Sequence, residues 1–211
     1  HYGLRTPDAL VTPGGTPRER VELRKGLTEW LRQFSDFAAH FELGLLFFYA
    51  IPAWSRIKFD LPKPEDANNV QIIAEQFAWN VQYPGADGKF GRRDAKFIDS
   101  GNVLGLDPED PTGKDDIVSL NELHVPLGQK TLVQLSSKDV IHSFFVPEFR
   151  VKQDAMPGME LPFWFEPTLA GKFEIACAQL CGIAHANMRG DVYAHTPEEY
   201  QDWLKSQASG K

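Results

Sequence analysis

The apolar positions of this 211-residue chain change their spacing about a third of the way along it. From Arg20 to about Phe48, apolar side chains recur at steps of three and four residues, as at Val21, Leu23, Leu27, Trp30, Leu31 and Phe34. This spacing predicts an amphipathic helix. The stretch from Leu43 to Trp54 is then almost wholly apolar, and only Gly44 and Pro52 interrupt it.

Two interpretations of this apolar stretch stay open. A run of about 12 residues is too short to cross a hydrocarbon core of ~30 Å. Extension back to Phe34 gives ~20 residues, enough for a span, but the longer segment contains Asp36, His40 and Glu42. Charges inside a membrane usually face protein. The segment is therefore either a buried amphipathic helix or a membrane helix packed against a partner.

Beyond a proline-containing linker, residues 61–66, the pattern becomes that of a β protein. Short apolar runs predict strands at 70–74, 77–83, 121–125, 131–135, 141–146, 163–165 and 172–176. Many short strands separated by turns indicate a sandwich or a Greek-key barrel. Residues 198–206 predict a C-terminal helix that Thr196 and Pro197 begin. We therefore expect a mainly β chain with two parts, residues 1–60 and 61–211.

Two further stretches predict irregular structure. Residues 1–19 are rich in proline, glycine and threonine and indicate an irregular arm. Residues 99–116 combine glycines and prolines with several acids. They lack the fixed ligand register and the final bidentate glutamate of a calcium-binding EF-hand loop. A solvated surface loop is the better interpretation of this stretch.

Composition narrows the classes of partner. Hydrophobic residues make up 42% and aromatic residues 12% of the chain, which is enough for a core. The formal net charge of -7 argues against a nucleic-acid partner and suits a basic protein partner. The chain begins at His1 without a signal-peptide pattern, so we expect that its start has been processed, truncated or left out.

The two cysteines carry the candidate chemistry. Cys177 and Cys181 are followed by His185 and Met188 within twelve residues. Thiolate, imidazole and thioether are the ligands of copper electron-transfer sites, and two cysteines suggest two coppers bridged by two thiolates. A disulfide, a redox couple and half of a zinc site are alternatives, although so short a loop would stabilise little and zinc would require more Cys or His ligands.

A further ligand must come from another segment. His142 lies 35 residues before Cys177, far enough to come from a neighbouring strand. A hydrogen-bonded core histidine is the alternative interpretation of His142. The histidines that no such cluster of candidate ligands accompanies are interpreted as structural; they are His1, His40, His124 and His195.

Three segments together resemble subunit II of cytochrome c oxidases. They are residues 139–144 (DVIHSF), residues 152–158 (KQDAMPG), and the pattern Cys177-x3-Cys181-Gly182-x2-His185-x2-Met188. The aromatic stretch Gln76–Trp79 is also similar, and the likeness covers about two-thirds of the chain. The resemblance implies a binuclear CuA centre on a cupredoxin-like Greek-key β-barrel, which an N-terminal helical membrane anchor precedes.

The resemblance also implies a role for each ligand. Cys177 and Cys181 bridge both coppers, while His142 and His185 each bind one. Met188 is a weak ligand to one copper, and the backbone carbonyl of Gln179 binds the other. Such a subunit accepts electrons from a cytochrome c-type donor. It passes them to haem in the catalytic subunit I of the oxidase, where oxygen reduction is coupled to proton translocation.

The implied location is a respiratory membrane, bacterial rather than mitochondrial, with the copper domain on the periplasmic or outer face. Departures from the family pattern qualify this picture. Gln179 replaces the usual glutamate that helps to bind magnesium, and a neutral amide is a poorer ligand for a hard cation. Phe77 occupies the place of the tryptophan through which electrons enter, with Trp79 nearby.

Two other features differ from the family or from some of its members. Only one apolar segment is present, so the first of the family's two membrane helices is expected to be missing here. No Cys-x-x-Cys-His motif for covalent haem occurs, so the donor haem would belong to another protein. The alternative functions are a copper chaperone or thiol-redox protein that uses the CxxxC pair, and an assembly subunit with a vestigial site.

Overall fold

The computed structural model describes residues 16–208. The chain consists of two compact units, and the boundary between them in the sequence falls between Arg56 and Ile57. Residues 1–15 of the predicted irregular arm lie outside the described residues. Each unit is described separately below.

The N-terminal unit is helical. It contains α1 (Pro17–Leu45), a π-helical segment (Leu46–Ala50) and most of α2 (Ile51–Lys58). Thr16 caps the start of α1, because its hydroxyl accepts from the Glu19 amide while the Glu19 carboxylate accepts from the Thr16 amide. The helix continues past the predicted end at Phe48, so that boundary is wrong. Pro52, which has no N–H group, follows the π-helical segment, at whose end the Ile51 amide donates to the Leu46 carbonyl.

One described helix is long and apolar enough to cross a membrane, by length and composition. Residues 21–58 contain an 18-residue window with a mean hydropathy of 1.3, and no part of that window is buried. Large apolar side chains along the helix are exposed, and Phe48 keeps 87% of its surface. The N-terminal unit by itself therefore leaves this apolar surface uncovered.

The second unit contains ten strands and a C-terminal helix. The strands are β1 (Asn68–Glu75), β2 (Ala78–Tyr83), β3 (Ile117–Leu120), β4 (Glu122–Pro126), β5 (Thr131–Ser137), β6 (His142–Val146), β7 (Val151–Ala155), β8 (Leu161–Phe165), β9 (Gly171–Cys177) and β10 (Arg189–His195). The helix is α3 (Pro197–Ala208). The predicted fold class is confirmed: the chain is mainly β with an apolar N-terminal helix.

The strands form two five-stranded sheets, in the orders β3-β2-β1-β5-β8 and β4-β10-β9-β6-β7. Two neighbouring pairs are parallel, β1 with β5 and β4 with β10, and the others are antiparallel. One cluster of buried side chains draws on both sheets, for example Ile72, Trp79 and Val133 from the first and Phe144 and Ile175 from the second. This core fixes the strands that carry the site.

The strand predictions need several corrections. β3, β7 and β10 were not predicted. β2 begins at Ala78, so Phe77 lies in the turn between β1 and β2 and not in the strand. The predicted strand at 77–83 therefore begins one residue too early.

The long connection between β2 and β3, residues 84–116, contains two carboxylates with structural roles. Asp110 accepts hydrogen bonds from the Arg92 amide and from the amide and hydroxyl of Thr112, and these lower its pKa to about 2. Asp116 is fully buried and accepts from the Gln82 side chain and the Gly91 amide. Burial raises the pKa of Asp116 despite these bonds. Two carboxylates of this connection thus stabilise it by accepting hydrogen bonds.

Candidate metal centre

Two neighbouring strands bring the distant parts of the site together. His142 is the first residue of β6, and Cys177 is the last residue of β9. The two strands are antiparallel, with Phe144 opposite Cys177. Because His142 lies two residues before Phe144, it falls on the same face of β6 at the end of the strand. Pairing of β6 with β9 therefore brings His142 and Cys177 close together in space, although they lie 35 residues apart in the sequence.

The loop between β9 and β10, residues 178–188, folds back over the end of the sheet. Its two ends are joined by a hydrogen bond from the Cys177 amide to the Met188 carbonyl, at 3.2 Å. The Ala178 amide donates to the Ser143 carbonyl of β6, at 2.9 Å. The Met188 amide donates to the His185 carbonyl within a short 3-10 turn. These bonds close the loop around its own thiols.

All six predicted ligand residues are brought together around the two thiols. The Sγ atoms of Cys177 and Cys181 are 3.7 Å apart. The Cys181 Sγ lies 3.6 Å from Nδ1 of His185 and 3.8 Å from Sδ of Met188. The Cys177 Sγ lies 3.2 Å from the carbonyl oxygen of Gln179. Ligand atoms of His142, Cys177 and Cys181 all lie within 4.8 Å of one another.

The cysteines are free thiols in this arrangement. Their separation of 3.7 Å is far above the ~2.05 Å of a disulfide. Burial, together with the neighbouring Cys177 thiol, raises the pKa of Cys181 to about 11. The neutral form of the Cys181 thiol is therefore favoured. A metal that binds through Cys181 has to displace this proton, so its affinity should rise with pH.

One atom of the site points to a ligand role independently of the motif. His142 is fully buried, and its Nε2 lies 2.8 Å from Oδ1 of Asp139. Its Nδ1 is buried and has no hydrogen-bond partner. An unpaired buried polar atom costs about 1–3 kcal/mol. Coordination through Nδ1, with Nε2 held by a carboxylate, would remove that cost and is the usual arrangement of metal-bound histidine.

The donor set fits copper. Two thiols, two imidazoles and a thioether are soft or intermediate ligands, of the kind that copper sites use. Six donors exceed the four of a closed zinc site, and each of the other four lies close to at least one of the two thiols. The residues present therefore fit copper. Within residues 16–208 no other cluster of three or more His, Cys, Asp or Glu side chains meets the same distance criterion.

The predicted electron-accepting aromatics occupy different environments. Trp79 is fully buried, and its ring contacts those of His142 and Phe144 edge-on, at centroid distances of 6.3 and 5.5 Å. It has no surface that an external donor could touch. Phe77 is half-buried in the β1–β2 turn and packs against the core cluster. Only Phe77 of these two can contact a donor.

Two residues beside the ligands were missed by the sequence analysis. Gln76 donates through Nε2 to the carbonyl oxygen of Cys181, at 2.6 Å. Asp139 accepts from the Gln76 amide and contacts His142. Both residues stand inside the segments that carry the resemblance. Their contacts span 105 and 63 residues, and no local pattern encodes them.

Comparison with known proteins gives a consistent result. The family described as "Cytochrome C oxidase subunit II, periplasmic domain" matches residues 68–194. An "Alternative cytochrome c oxidase subunit 2" of Bradyrhizobium diazoefficiens is 44% identical over 145 residues, which is 68% of this chain and 52% of the relative. A "Cytochrome c oxidase subunit 2" of Thermostichus vulcanus is 38% identical over 136 residues, 64% of this chain and 32% of the relative.

Two solved structures share the fold. The crystal structure of the periplasmic domain of cytochrome oxidase subunit II from Bradyrhizobium japonicum has a TM-score of 0.52 and 29% identity, and covers 71% of this chain and 97% of its own. A mixed disulfide intermediate between a thioredoxin-like protein and cytochrome c oxidase subunit II has a TM-score of 0.50 and 29% identity, with coverages of 72% and 96%. The chain spans about half or less of the curated relatives above.

Proposed function

Because this chain belongs to the cytochrome c oxidase subunit II family, as its sequence motifs predicted, we propose that it is the electron-transfer subunit of a haem-copper oxidase. It accepts electrons from a cytochrome c-type donor at a binuclear copper centre. It passes them to haem in a catalytic subunit, where oxygen is reduced and protons are translocated. The observation that carries the proposal is the convergence of six donors, from β6, the end of β9 and the β9–β10 loop, around two buried thiols.

The positions of the donors support one role for each ligand. The thiolates of Cys177 and Cys181 would hold both ions. His142 and His185 would bind through Nδ1, Met188 through Sδ, and residue 179 through its carbonyl oxygen. When bound, the copper pair supplies a one-electron carrier whose charge is shared over two metals and two sulfurs.

The protein restricts the movement of the six donors, which form the ligand cage, and limits their contact with water. Met188 and His142 are almost completely buried, and the rings of Trp79 and Phe144 close the inner side of the site. The ligand cage is attached to two hydrogen-bonded strands, β6 and β9, which restrict movement of the donors. A site that moves little on oxidation and reduction transfers electrons quickly, and burial around the sulfurs sets its potential.

The same proposal covers the surroundings of the centre. The exposed apolar helix anchors the subunit in a respiratory membrane beside catalytic subunit I, with the copper domain on the periplasmic or outer face. Phe77 is the aromatic that faces a basic donor, which the net charge of -7 helps to attract. Magnesium is not part of the proposal, since Gln179 offers an exposed neutral amide in place of a carboxylate.

The thiol pair suggests how the centre is loaded. A related subunit II forms a mixed disulfide with a thioredoxin-like protein. In this chain, the Sγ atoms of Cys177 and Cys181 are 3.7 Å apart, so an external oxidant that removes two electrons and two protons could join them in a disulfide. A dithiol partner would reduce that disulfide by exchange and would itself become the disulfide, which leaves both thiols of this chain free to bind copper. The pair is then a substrate of thiol exchange, and the chaperone or redox-protein alternative is not needed.

Metal stoichiometry and spectroscopy test the proposal. The reduced chain, purified in detergent and reconstituted with copper, should hold two coppers and show the spin signal of one electron delocalised over both. Cys181→Ser should abolish this centre, because a bridge is shared by both metals. Met188→Leu should keep two coppers and shift the potential, whereas Met159→Leu, at an exposed methionine, should change neither. One copper per chain, or an unchanged spectrum in Cys181→Ser, would refute the assignment.

A further inference from the structure

The turn between β1 and β2 lies against the ligand loop, although it supplies no ligand. Gln76 makes two hydrogen bonds there. Its Nε2 donates to the carbonyl oxygen of Cys181 at 2.6 Å, and its backbone N–H donates to Oδ2 of Asp139 at 2.7 Å. One residue of a two-residue turn is therefore bonded on one side to the thiol loop and on the other to the segment before β6.

Asp139 extends the connection to the histidine ligand. Its other carboxylate oxygen, Oδ1, lies 2.8 Å from Nε2 of His142 and also accepts from the Val140 amide. A continuous series of contacts thus runs from Cys181 through Gln76 and Asp139 to His142. The two ligands at its ends come from the two segments that build the site. The series adds side-chain contacts to the direct backbone bond that joins the Ala178 amide to the Ser143 carbonyl.

The packing at residue 182 fits the same contact. Gly182 has a φ of +143°, a conformation that L side chains rarely adopt. A Cβ atom there would lie 2.8 Å from Nε2 of Gln76 and 3.0 Å from the ring of Phe77. The absence of a side chain lets the turn approach the loop closely enough for the hydrogen bond from Gln76.

We propose that Gln76 is a positioning residue of the metal centre, which fixes the thiol loop relative to the strand that carries His142. The inference rests on the proposed function, because the centre it positions is the copper pair. It assigns Gln76 a task in the geometry of the site itself. The competing interpretation is that Gln76, an exposed residue, acts only by contacting a docked donor protein.

Charge and hydrogen-bond direction separate the two interpretations. Gln76→Glu keeps the size of the side chain. It replaces the Nε2 group, which donates to the Cys181 carbonyl, with a carboxylate oxygen that can only accept. If Gln76 positions the loop, this change disturbs the centre when no donor protein is present. If Gln76 only contacts a basic donor, an added negative charge leaves the isolated centre unchanged and alters only the reaction with the donor.

The test uses the whole chain in detergent, loaded with copper, as wild type, Gln76→Glu and Gln76→Met. Gln201→Met, at an exposed glutamine of α3, is the matched control. We expect both position-76 variants to lose copper to a chelator roughly 10-fold faster and to change the copper hyperfine pattern, as is typical when an outer partner of a metal site is removed. Wild-type loss rates and spectra in both variants would overturn the inference.

A second measurement needs no metal. The Gln76 side chain donates to a backbone carbonyl of the loop and not to a metal donor atom. Backbone amides of the loop 178–188 should therefore exchange hydrogen several-fold faster in metal-free Gln76→Met than in metal-free wild type. Unchanged exchange would count against positioning. If wild type itself fails to hold two coppers, the proposed function fails, while the exchange experiment still decides whether Gln76 orders the loop.

Discussion

Lowering the pH from 7 to 4 should destabilise the β unit through one buried histidine. His124 of β4 is stacked between the rings of Trp203 and Tyr193, with centroids at 4.2 and 4.8 Å. Its Nδ1 lies 2.8 Å from Nε2 of His195. Burial, followed by the charge of His195, lowers the pKa of His124 to about 4, and Glu122 opposes the shift only partly.

The sign follows from comparing the folded and unfolded chains. An unfolded histidine titrates near 6.5, so as the pH falls the unfolded chain takes up this proton first. The contribution of neutral His124 to the free energy of unfolding is fully present above pH 6.5 and is lost between pH 6.5 and 4. Below pH 4, His124 causes no further loss. A difference of about 2.5 pKa units corresponds to at most about 3 kcal/mol. Burial also lowers the pKa of His195, which adds a loss of the same sign.

The assay is urea unfolding of the metal-free chain in detergent at pH 7, 6, 5 and 4, followed by tryptophan fluorescence. The wild type is compared with His124→Phe, which keeps an aromatic ring at this position and cannot ionise. His40→Gln, in the N-terminal unit, controls for the loss of a histidine elsewhere. We expect the free energy of unfolding to fall less steeply with acid in His124→Phe. Parallel curves for wild type and His124→Phe would refute this reasoning.

Two further predictions concern the surface above the metal centre. Phe77→Ala should slow electron transfer from a basic haem donor and leave the copper spectrum intact, since Phe77 provides no ligand; stopped-flow mixing measures this, with the exposed Leu169→Ala as control. An unchanged rate would place the point of electron transfer elsewhere. Gly182→Ala should cost about 1–3 kcal/mol of stability through its backbone conformation and also alter the copper spectrum. Gly128→Ala, with φ +70° and open space around it, should lower stability only.

Local sequence patterns were sufficient for much of this fold and site. Cys177, Cys181, His185 and Met188 lie within one segment, so their spacing alone indicates a shared ligand cluster. Alternating or continuous apolar runs marked seven of the ten strands. The distant ligand, His142, required the motif around it, because pairing of β6 with β9 is a tertiary event.

The remaining features depend on neighbours that the sequence does not display. β7 is a strand at the edge of its sheet, and its central residues Lys152, Gln153 and Asp154 are polar, so its pattern resembles a loop. The turn at Gln76 and Phe77 contains none of the glycine, proline or asparagine signals of a tight turn. The contact between Gln76 and Cys181 joins residues 105 positions apart. Only the assembled sheets reveal such contacts.

The pairing of β10 has a consequence for biosynthesis. β10 follows the ligand loop directly, and it lies between β9 and β4, which ends more than sixty residues earlier in the chain. A nascent chain that has emerged only as far as Met188 contains every metal donor, yet it lacks the strand that locks the end of the loop into the sheet. The ligand loop is therefore closed at both of its ends only after β10 has paired with β9 and β4.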